Sequence, residues 1–357
     1  MLTSISIENF RCFGQFSLDT LQRVNLIAGK NNVGKTTLLE AIFLLGGGTN
    51  IAQLVINIAT TRVQKVTGAA TGELVFTPLF AKFSHQTSVK ISGLLRSGKE
   101  ATLELKMVPS TSIGLPLIDE TSPTRERRHN PMPGQTLECH YTSPDDKSYL
   151  IQLKEADSSL RIEGEYLPLQ QPFIVFLIVS SMLRPFEETA EQLGRLEVAK
   201  QHYDVLESLR IMEPRLKQIK TIYMAGMPLI YGDIGLERMI PLSLMGEGLG
   251  RLTSLLLTIA DTPHGIVLID EIDNGLHHSV LTKVWQAIGD AARRFDTQVI
   301  ATTHSYECIQ AAHQAFSKTE SDDFRLHRLD RIGETIKAVT YDPETLEAAL
   351  QAELEVR

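Results

Sequence analysis

Residues 29–36 read GKNNVGKT and follow a short apolar run, Val24–Ala28. They satisfy the pattern G-x-x-x-x-G-K-[ST] in full. The fixed glycines let the backbone wrap tightly so that its N–H groups point at a phosphate, and the N-terminus of the next helix adds positive potential. The stretch therefore predicts a strand, a phosphate-binding loop and a helix in that order, which is the start of an α/β nucleotide-binding domain.

The side chains of this loop have separate expected roles. Lys35 would reach the β- and γ-phosphates of ATP, and the Thr36 hydroxyl would bind Mg²⁺. The alternative is a chance glycine turn, which the almost continuously apolar run Thr36–Leu45 disfavours because it predicts a helix buried against a sheet. The residues expected to contact the nucleotide here are Gly29, Lys30, Asn31, Asn32, Val33, Gly34, Lys35, Thr36 and Thr37.

A second motif is the apolar run that begins at Gly265 and ends in Asp270 and Glu271. Its apolar residues predict a strand buried on both faces, with two carboxylates at its C-terminal end, where open α/β sheets bind ligands. Asp270 would hold Mg²⁺, and Glu271 would polarise the attacking water. A solvated acidic pair is the alternative, which the complete phosphate loop in the same chain makes the poorer interpretation.

A third motif, Gln298–Ser305, is another buried strand that ends in polar residues. His304 would contact the γ-phosphate and sense its presence, although a lone histidine at a strand end is more often only a hydrogen-bonded polar residue. Its position after the acidic pair favours the functional interpretation. The predicted catalytic residues are therefore Lys35, Glu271 and His304, with ATP and Mg²⁺ as cofactors.

The other segments predict a mixed α/β arrangement. Alternation within residues 74–108 predicts a β-hairpin around Arg96–Lys99, residues 109–135 predict an exposed loop, and residues 186–220 predict helix. The remaining predicted elements are strands Ser4–Glu8 and Gln15–Leu18 around a turn at Gly14, strands within 137–180 ending in Phe173–Val179, a helix over Leu276–Phe295, and a strand–turn–helix over Phe324–Leu354.

Composition bounds the class of protein. The chain has 357 residues, of which 43% are hydrophobic and 22% charged, as in soluble globular proteins. It has no run of about eighteen apolar residues and no secretory signal pattern, so no membrane span is expected. Its three scattered cysteines lack metal spacing, which favours the cytoplasm. The net charge of −8 does not favour DNA, but a local basic face would still allow it as a partner.

The order of these motifs resembles the ABC-type ATPase heads of the SMC, RecF and OLD-like proteins. Three further stretches, Ile5–Gly14, Asp270–Leu281 and Tyr341–Arg357, are similar to a compact bacterial group of these ATPases. The resemblance implies a P-loop NTPase fold of the ABC/SMC-head type, with a mixed core sheet, an antiparallel β lobe and an inserted helical lobe. It implies an N-terminal lobe over residues 1–180, the helical lobe over 181–240 and the rest of the ATPase core over 241–357.

By this resemblance, Pro241–Leu252 occupies the signature position, which in an ABC dimer caps the γ-phosphate of the ATP held by the other subunit. The chain departs from the common L-S-G-G-[QE] form, and its corresponding residues are Ser243, Gly246 and Gly248. The stretch Asp273–His277 matches the segment that runs along the dimer seam. Arg11 occupies the position at which some relatives have a phosphate- or base-contacting arginine, and a plain surface arginine is the alternative. The resemblance also implies a glutamine that links the nucleotide to the inserted lobe. Gln86 is the candidate for that glutamine.

The resemblance implies a head-to-head homodimer and leaves several roles open. OLD-like nucleases carry a nuclease domain after the head, whereas 53 residues follow His304, so we expect any nuclease to be a separate partner. The leading hypothesis is an ATPase that gates such an effector in anti-phage defence or DNA processing. The alternatives are a RecF-like DNA-repair clamp and an interaction module that binds ATP without hydrolysing it.

Overall fold

The computed structural model describes residues 1–63, 75–109, 135–156, 159–163, 169–178, 186–224, 226–317 and 322–357. Its strands are β1 (Leu2–Phe10), β2 (Phe13–Leu18), β3 (Val24–Ala28), β4 (Val89–Leu95), β5 (Glu100–Pro109), β6 (Gln135–Thr142), β7 (Ser148–Ala156), β8 (Ser159–Glu163), β9 (Val175–Ile178), β10 (Gln218–Met224), β11 (Met227–Asp233), β12 (Ile240–Pro241), β13 (Ile266–Ile269), β14 (Gln298–Thr302), β15 (Phe324–Ile332) and β16 (Thr335–Tyr341). Its helices are α1 (Lys35–Gly47), α2 (Ile51–Val63), α3 (Phe186–Val198), α4 (His202–Arg210), α5 (Glu247–Ala260), α6 (His278–Arg294), α7 (Tyr306–Phe316) and α8 (Pro343–Gln351).

The centre of the molecule is a six-stranded sheet in the order β16-β15-β3-β14-β13-β9. Its strands run parallel except for β16, which pairs antiparallel with β15. Every residue of β3, β13 and β14 is buried, because helices or a second sheet cover both faces. The strands predicted from the three motifs are therefore confirmed. The predicted C-terminal strand–turn–helix contains two strands, β15 and β16, before α8.

The two faces of the core sheet contribute to different hydrophobic clusters. Val267 and Ile269 pack with α5, α6 and α7, around the fully buried Trp285. Ile266 and Leu268, which alternate with them, pack with α1 and the antiparallel sheet. Among the described residues, the helical stretch Lys35–Ala59 is long and apolar enough to cross a membrane, but 61% of its apolar window is buried inside the protein. This stretch comprises α1, which directly follows the phosphate loop, and most of α2.

The antiparallel lobe is a seven-stranded sheet in the order β2-β1-β4-β5-β6-β7-β8. The predicted hairpin is confirmed as β4 and β5, and Gly98 takes a left-handed φ of 78° in its turn. The predicted turn at Gly14 is wrong, because Phe10 pairs with Phe13 and Arg11 turns the chain with a φ of 52°. This register buries Phe13, whereas Gly14 is exposed within β2. The exposed loop predicted at 109–135 lies outside the described residues except at its ends.

The inserted lobe is part helical and part β. The predicted helix over 186–220 is correct for α3 and α4 but wrong beyond Arg210, where β10, β11 and β12 form a three-stranded antiparallel sheet. Pro214 cannot continue a hydrogen-bonded helix. The β-branched residues of β10 then favour an extended strand, and Gly226 takes a left-handed φ of 80° at the hairpin turn.

Candidate nucleotide-binding site

The phosphate loop connects the C-terminal end of β3 to α1. Gly29 and Gly34 have left-handed φ values of 146° and 105°. A Cβ at Gly29 would lie 2.8 Å from the Leu329 carbonyl oxygen, and one at Gly34 would lie 2.9 Å from the Cys12 Sγ. Both positions therefore require glycine for backbone conformation and for space. The loop is held between the β1–β2 turn and β15.

The side chain of Lys35 lies against this loop. Its Nζ donates hydrogen bonds to the carbonyl oxygens of Gly29 at 2.5 Å and Lys30 at 2.9 Å. Burial lowers the pKa of Lys35, and the nearby carboxylates of Asp270 and Glu271 offset this shift only in part. Lys30, Asn31 and Asn32 are exposed, and Val33 and Thr37 are buried. The predicted loop residues thus form one structural unit around the lysine.

Oxygen atoms from three elements meet beside Lys35. The Thr36 hydroxyl donates to the Asp270 carboxylate at 3.0 and 3.1 Å, and the Thr302 hydroxyl donates to the same carboxylate at 2.7 Å. Asp270 follows β13 and is largely buried, whereas Thr302 ends β14. The structure therefore brings together the two predicted metal ligands, Thr36 and Asp270. A set of hydroxyl and carboxylate oxygens fits Mg²⁺, which prefers oxygen ligands.

Glu271 has an unusual backbone. Its φ is 47°, a left-handed conformation that costs a non-glycine residue about 1–3 kcal/mol and occurs often at functional sites. Its N–H donates to the Thr302 hydroxyl at 2.9 Å, and its carbonyl oxygen accepts from Arg251 Nη2 at 3.1 Å. The Glu271 side chain is 44% exposed, and its Oε1 lies 4.0 Å from His304 Nδ1. The two predicted catalytic side chains are thus adjacent and open to a ligand.

Sequence reasoning missed Arg251 and Thr302. Arg251 lies on α5, and its Nε is buried with no hydrogen-bond partner among the described residues. Burial lowers the pKa of Arg251, an effect that the carboxylates of Asp273 and Glu271 offset only in part. The available signal was a single arginine among the apolar residues of α5. For Thr302, the signal was its position at the end of a buried strand directly before Thr303 and His304.

The signature segment lies at the start of α5. Residues Leu242–Met245 form a 3₁₀ turn, and Gly246 follows with a left-handed φ of 120°. Ser243 and Gly246 are exposed, and a Cβ at Gly248 would lie 3.6 Å from side-chain atoms of Leu276 and Met212. The segment therefore presents its polar and glycine residues at the surface and rests on the stretch that follows Glu271.

Arg11 and Gln86 are the two weaker candidates for contact with the nucleotide. Arg11 Nη1 forms a largely buried ion pair with Glu40 Oε2 of α1 at 3.2 Å, and its guanidinium lies 5.4 Å from the Phe10 ring centroid. The ion pair joins the β1–β2 turn to the helix of the phosphate loop. Gln86 is exposed in the turn before β4.

Comparison with known proteins identifies a family over the part of the chain that contains these motifs. Residues 24–309 match a family described as "AAA domain, putative AbiEii toxin, Type IV TA system". The chain belongs to this family. The matched range contains the phosphate loop, Asp270, Glu271 and His304.

Individual relatives agree with this assignment. An ATP/GTP phosphatase of Helicobacter pylori (strain ATCC 700392 / 26695) is 23% identical over 97% of each chain. The DNA replication and repair protein RecF of Chlorobium phaeovibrioides is 29% identical over 36% of each chain. An SMC head bound to the C-winged helix domain of ScpA superposes with a TM-score of 0.52 at 14% identity, over 98% of this chain and 99% of the other. This AAA-domain protein is an ATPase of the SMC/RecF type, with the fold of an SMC head.

Proposed function

We propose that this ATPase closes head-to-head with a second copy of itself around ATP and Mg²⁺. The exposed start of α5 carries the proposal, because Ser243, Leu244 and Gly246 face solvent and the Leu244 side chain is 76% exposed. An exposed leucine beside the exposed Gly246 leaves this turn open to a partner. The N-terminus of α5 would then point its free N–H groups at the γ-phosphate bound by the other copy.

Each residue of the phosphate site has a task in this proposal. Backbone N–H groups of the loop would bind the phosphates, and Lys35 would exchange its carbonyl acceptors for phosphate oxygens. Thr36 and Asp270 would hold Mg²⁺, which, when bound, neutralises charge on the phosphates. Their present hydrogen bond supports this role, because it already brings the hydroxyl and the carboxylate to one point.

The order of strands supports one direction for the nucleotide. Asp270 and His304 follow β13 and β14, on one side of β3. On the other side lies β15, whose Arg331 Nη2 donates to the Asn32 carbonyl oxygen at 3.2 Å. We therefore assign the γ-phosphate to the β14 side and the nucleoside to the β15 side of the loop.

Glu271 and His304 would act on the terminal phosphate. The Glu271 carboxylate would orient a water molecule and accept its proton, while His304 would contact the γ-phosphate. Because the catalytic pair is open to solvent in a single chain, the partner's signature segment would complete the site and exclude bulk water. Turnover would then be slow, since opening and closing of the dimer would limit it.

The solution mass of Glu271→Gln tests the dimer. By light scattering with ATP and Mg²⁺, we expect a monomer that becomes a stable dimer, because ATP binds but hydrolysis cannot release it. Lys35→Ala is the control, in which weakened ATP binding leaves the mass unchanged. A Glu271→Gln protein that stays monomeric at saturating ATP would refute the head-to-head mechanism.

The dimer is proposed to gate a separate effector protein, such as a nuclease, in anti-phage defence or DNA processing. The family description, which names a toxin of a type IV toxin–antitoxin system, supports a role in such bacterial systems. Similarity to RecF over part of the chain supports a second candidate, an ATP-dependent DNA clamp. Duplex DNA binding that requires ATP and weakens with salt would favour the clamp. If no such DNA binding is found and an effector protein copurifies, the effector-gating role would be favoured.

A further inference from the structure

The segments that follow β13 and β14 are joined by a short hydrogen bond. The Thr303 hydroxyl donates to Asp273 Oδ1 at 2.6 Å, and its oxygen also accepts the Ser305 N–H at 3.0 Å. Thr303 is fully buried, and Asp273 is partly buried. The bond therefore connects the residue before His304 to the stretch Asp273–His277, which begins two residues after Glu271.

The backbone around His304 is anchored on both sides. Before it, the Thr303 N–H donates to the Ile27 carbonyl oxygen at 3.0 Å, next to the phosphate loop. After it, the Ser305 hydroxyl caps α7 by accepting the Cys308 N–H at 3.1 Å. His304 itself is about half exposed. Its position thus depends on its two neighbours, and Thr303 alone among them contacts Asp273 through its side chain in the part of the chain described.

We propose that Asp273 is a positioning residue that acts through Thr303 on His304. The proposal rests on the head-to-head function, in which Asp273–His277 runs along the dimer seam. Asn274, Gly275 and His277 in this stretch are exposed, so an arriving partner would contact them. Movement of the stretch would change the position of the Asp273 carboxylate. The Thr303 hydrogen bond would carry this change to His304, and hydrolysis would follow engagement of the partner.

The hydroxyl of Thr303 gives a direct test. Thr303→Val keeps the shape of the buried side chain and removes the donor, whereas Thr303→Ser keeps the donor. We expect Thr303→Val to lower kcat about tenfold through a misplaced His304, with KM and the affinity for ATP within about twofold of the wild type. Thr303→Ser should restore kcat. Thr297→Val is the matched control, since it removes another fully buried threonine hydroxyl, which donates to the Ile259 and Thr262 carbonyl oxygens at 2.9 Å.

The inference fails if Thr303→Val hydrolyses ATP at the wild-type rate, if Thr303→Ser is equally slow, or if Thr297→Val causes the same loss. It also fails if the whole effect lies in ATP affinity. Should Thr303→Val not fold, Asp273→Ala and Asp273→Asn provide the same comparison at a partly exposed position. The asparagine oxygen can still accept the hydrogen bond, so only Asp273→Ala should slow hydrolysis.

An experiment can distinguish failure of the positioning role of Asp273 from failure of the proposed head-to-head dimer. Thr303→Val combined with Glu271→Gln should form the ATP-driven dimer as fully as Glu271→Gln alone, because the hydrogen bond positions a catalytic group and makes no contact with ATP. If Glu271→Gln alone stays monomeric, the head-to-head function is wrong. If only the double variant stays monomeric, Thr303 contributes to assembly, and the positioning role of Asp273 is wrong.

Discussion

The backbone of Glu271 shows how single residues prepare the site. Its left-handed φ of 47° is held from two sides, by the Thr302 hydroxyl on its N–H and by Arg251 on its carbonyl oxygen. A strained conformation persists only where its surroundings enforce it. We therefore regard Arg251 as part of the support that aims the Glu271 carboxylate, although it lies on the helix that begins with the signature segment.

Substitution of Arg251 tests this support. We expect Arg251→Met, which keeps an unbranched stem, to lower kcat about tenfold, because Glu271 loses the donor that fixes its carbonyl group. Arg251→Lys should recover activity only in part, since an ammonium group lacks the planar fork of donors. Steady-state hydrolysis and direct ATP binding measure the two effects. Arg195→Met, which removes a surface ion pair with Asp261 at the other end of α5, should leave kcat unchanged.

At the scale of elements, the core sheet contains a buried histidine beside the phosphate-loop strand. His327 of β15 is fully buried and lies 2.9 Å from the Thr340 hydroxyl and 3.4 Å from Asn25 Oδ1 through its two ring nitrogens. Burial, with a smaller contribution from the Arg325 charge, lowers the pKa of His327 to about 3. The ring is therefore neutral in the folded protein at pH 7.

This histidine should make stability depend on pH. The unfolded chain takes up a proton near the ordinary pKa of about 6.5, whereas the folded protein does so only near 3, so the free energy of unfolding falls as the pH drops between these values. The loss is at most about 1.4 kcal/mol per pH unit. His327→Gln should lower stability at pH 7 but weaken this dependence. Urea unfolding midpoints at about pH 7 and pH 4.5 measure this dependence. An equal drop in midpoint between the two pH values in the wild type and in His327→Gln would contradict the prediction.

The elements that sequence predicted best are those whose signal is local. The strand before Gly29, the acidic end of β13 and the strand before His304 each carry their pattern within a few residues. The β10–β11 hairpin differs from the helical lobe expected over 181–240, because only pairing between strands distinguishes it. The contacts of Arg251 with Glu271 and of Thr303 with Asp273 join residues 20 and 30 positions apart, so no local pattern contained them.

At the scale of the whole molecule, the exposed signature turn is the surface through which the proposed dimer would form. Leu244→Asp should prevent the ATP-driven dimer of Glu271→Gln, because a charge would have to be buried at the seam. ATP affinity of the monomer should be unchanged, since Leu244 is exposed on the surface of its own chain. Ile162→Asp, on the edge strand β8, is the matched control and should still dimerise. Loss of the dimer in both variants would indicate general instability.

The core sheet also has a consequence for synthesis of the protein. Strand β3, from residues 24–28, lies between β14 and β15, and Val24 pairs with Phe324 across nearly the whole chain. Contacts this distant in sequence form late and slow folding. The ribosome synthesises the phosphate-binding motif early. Leu329, against which Gly29 packs, is synthesised near the end of the chain. We therefore expect only an almost finished polypeptide to take up nucleotide, so partial chains would not enter the proposed dimer.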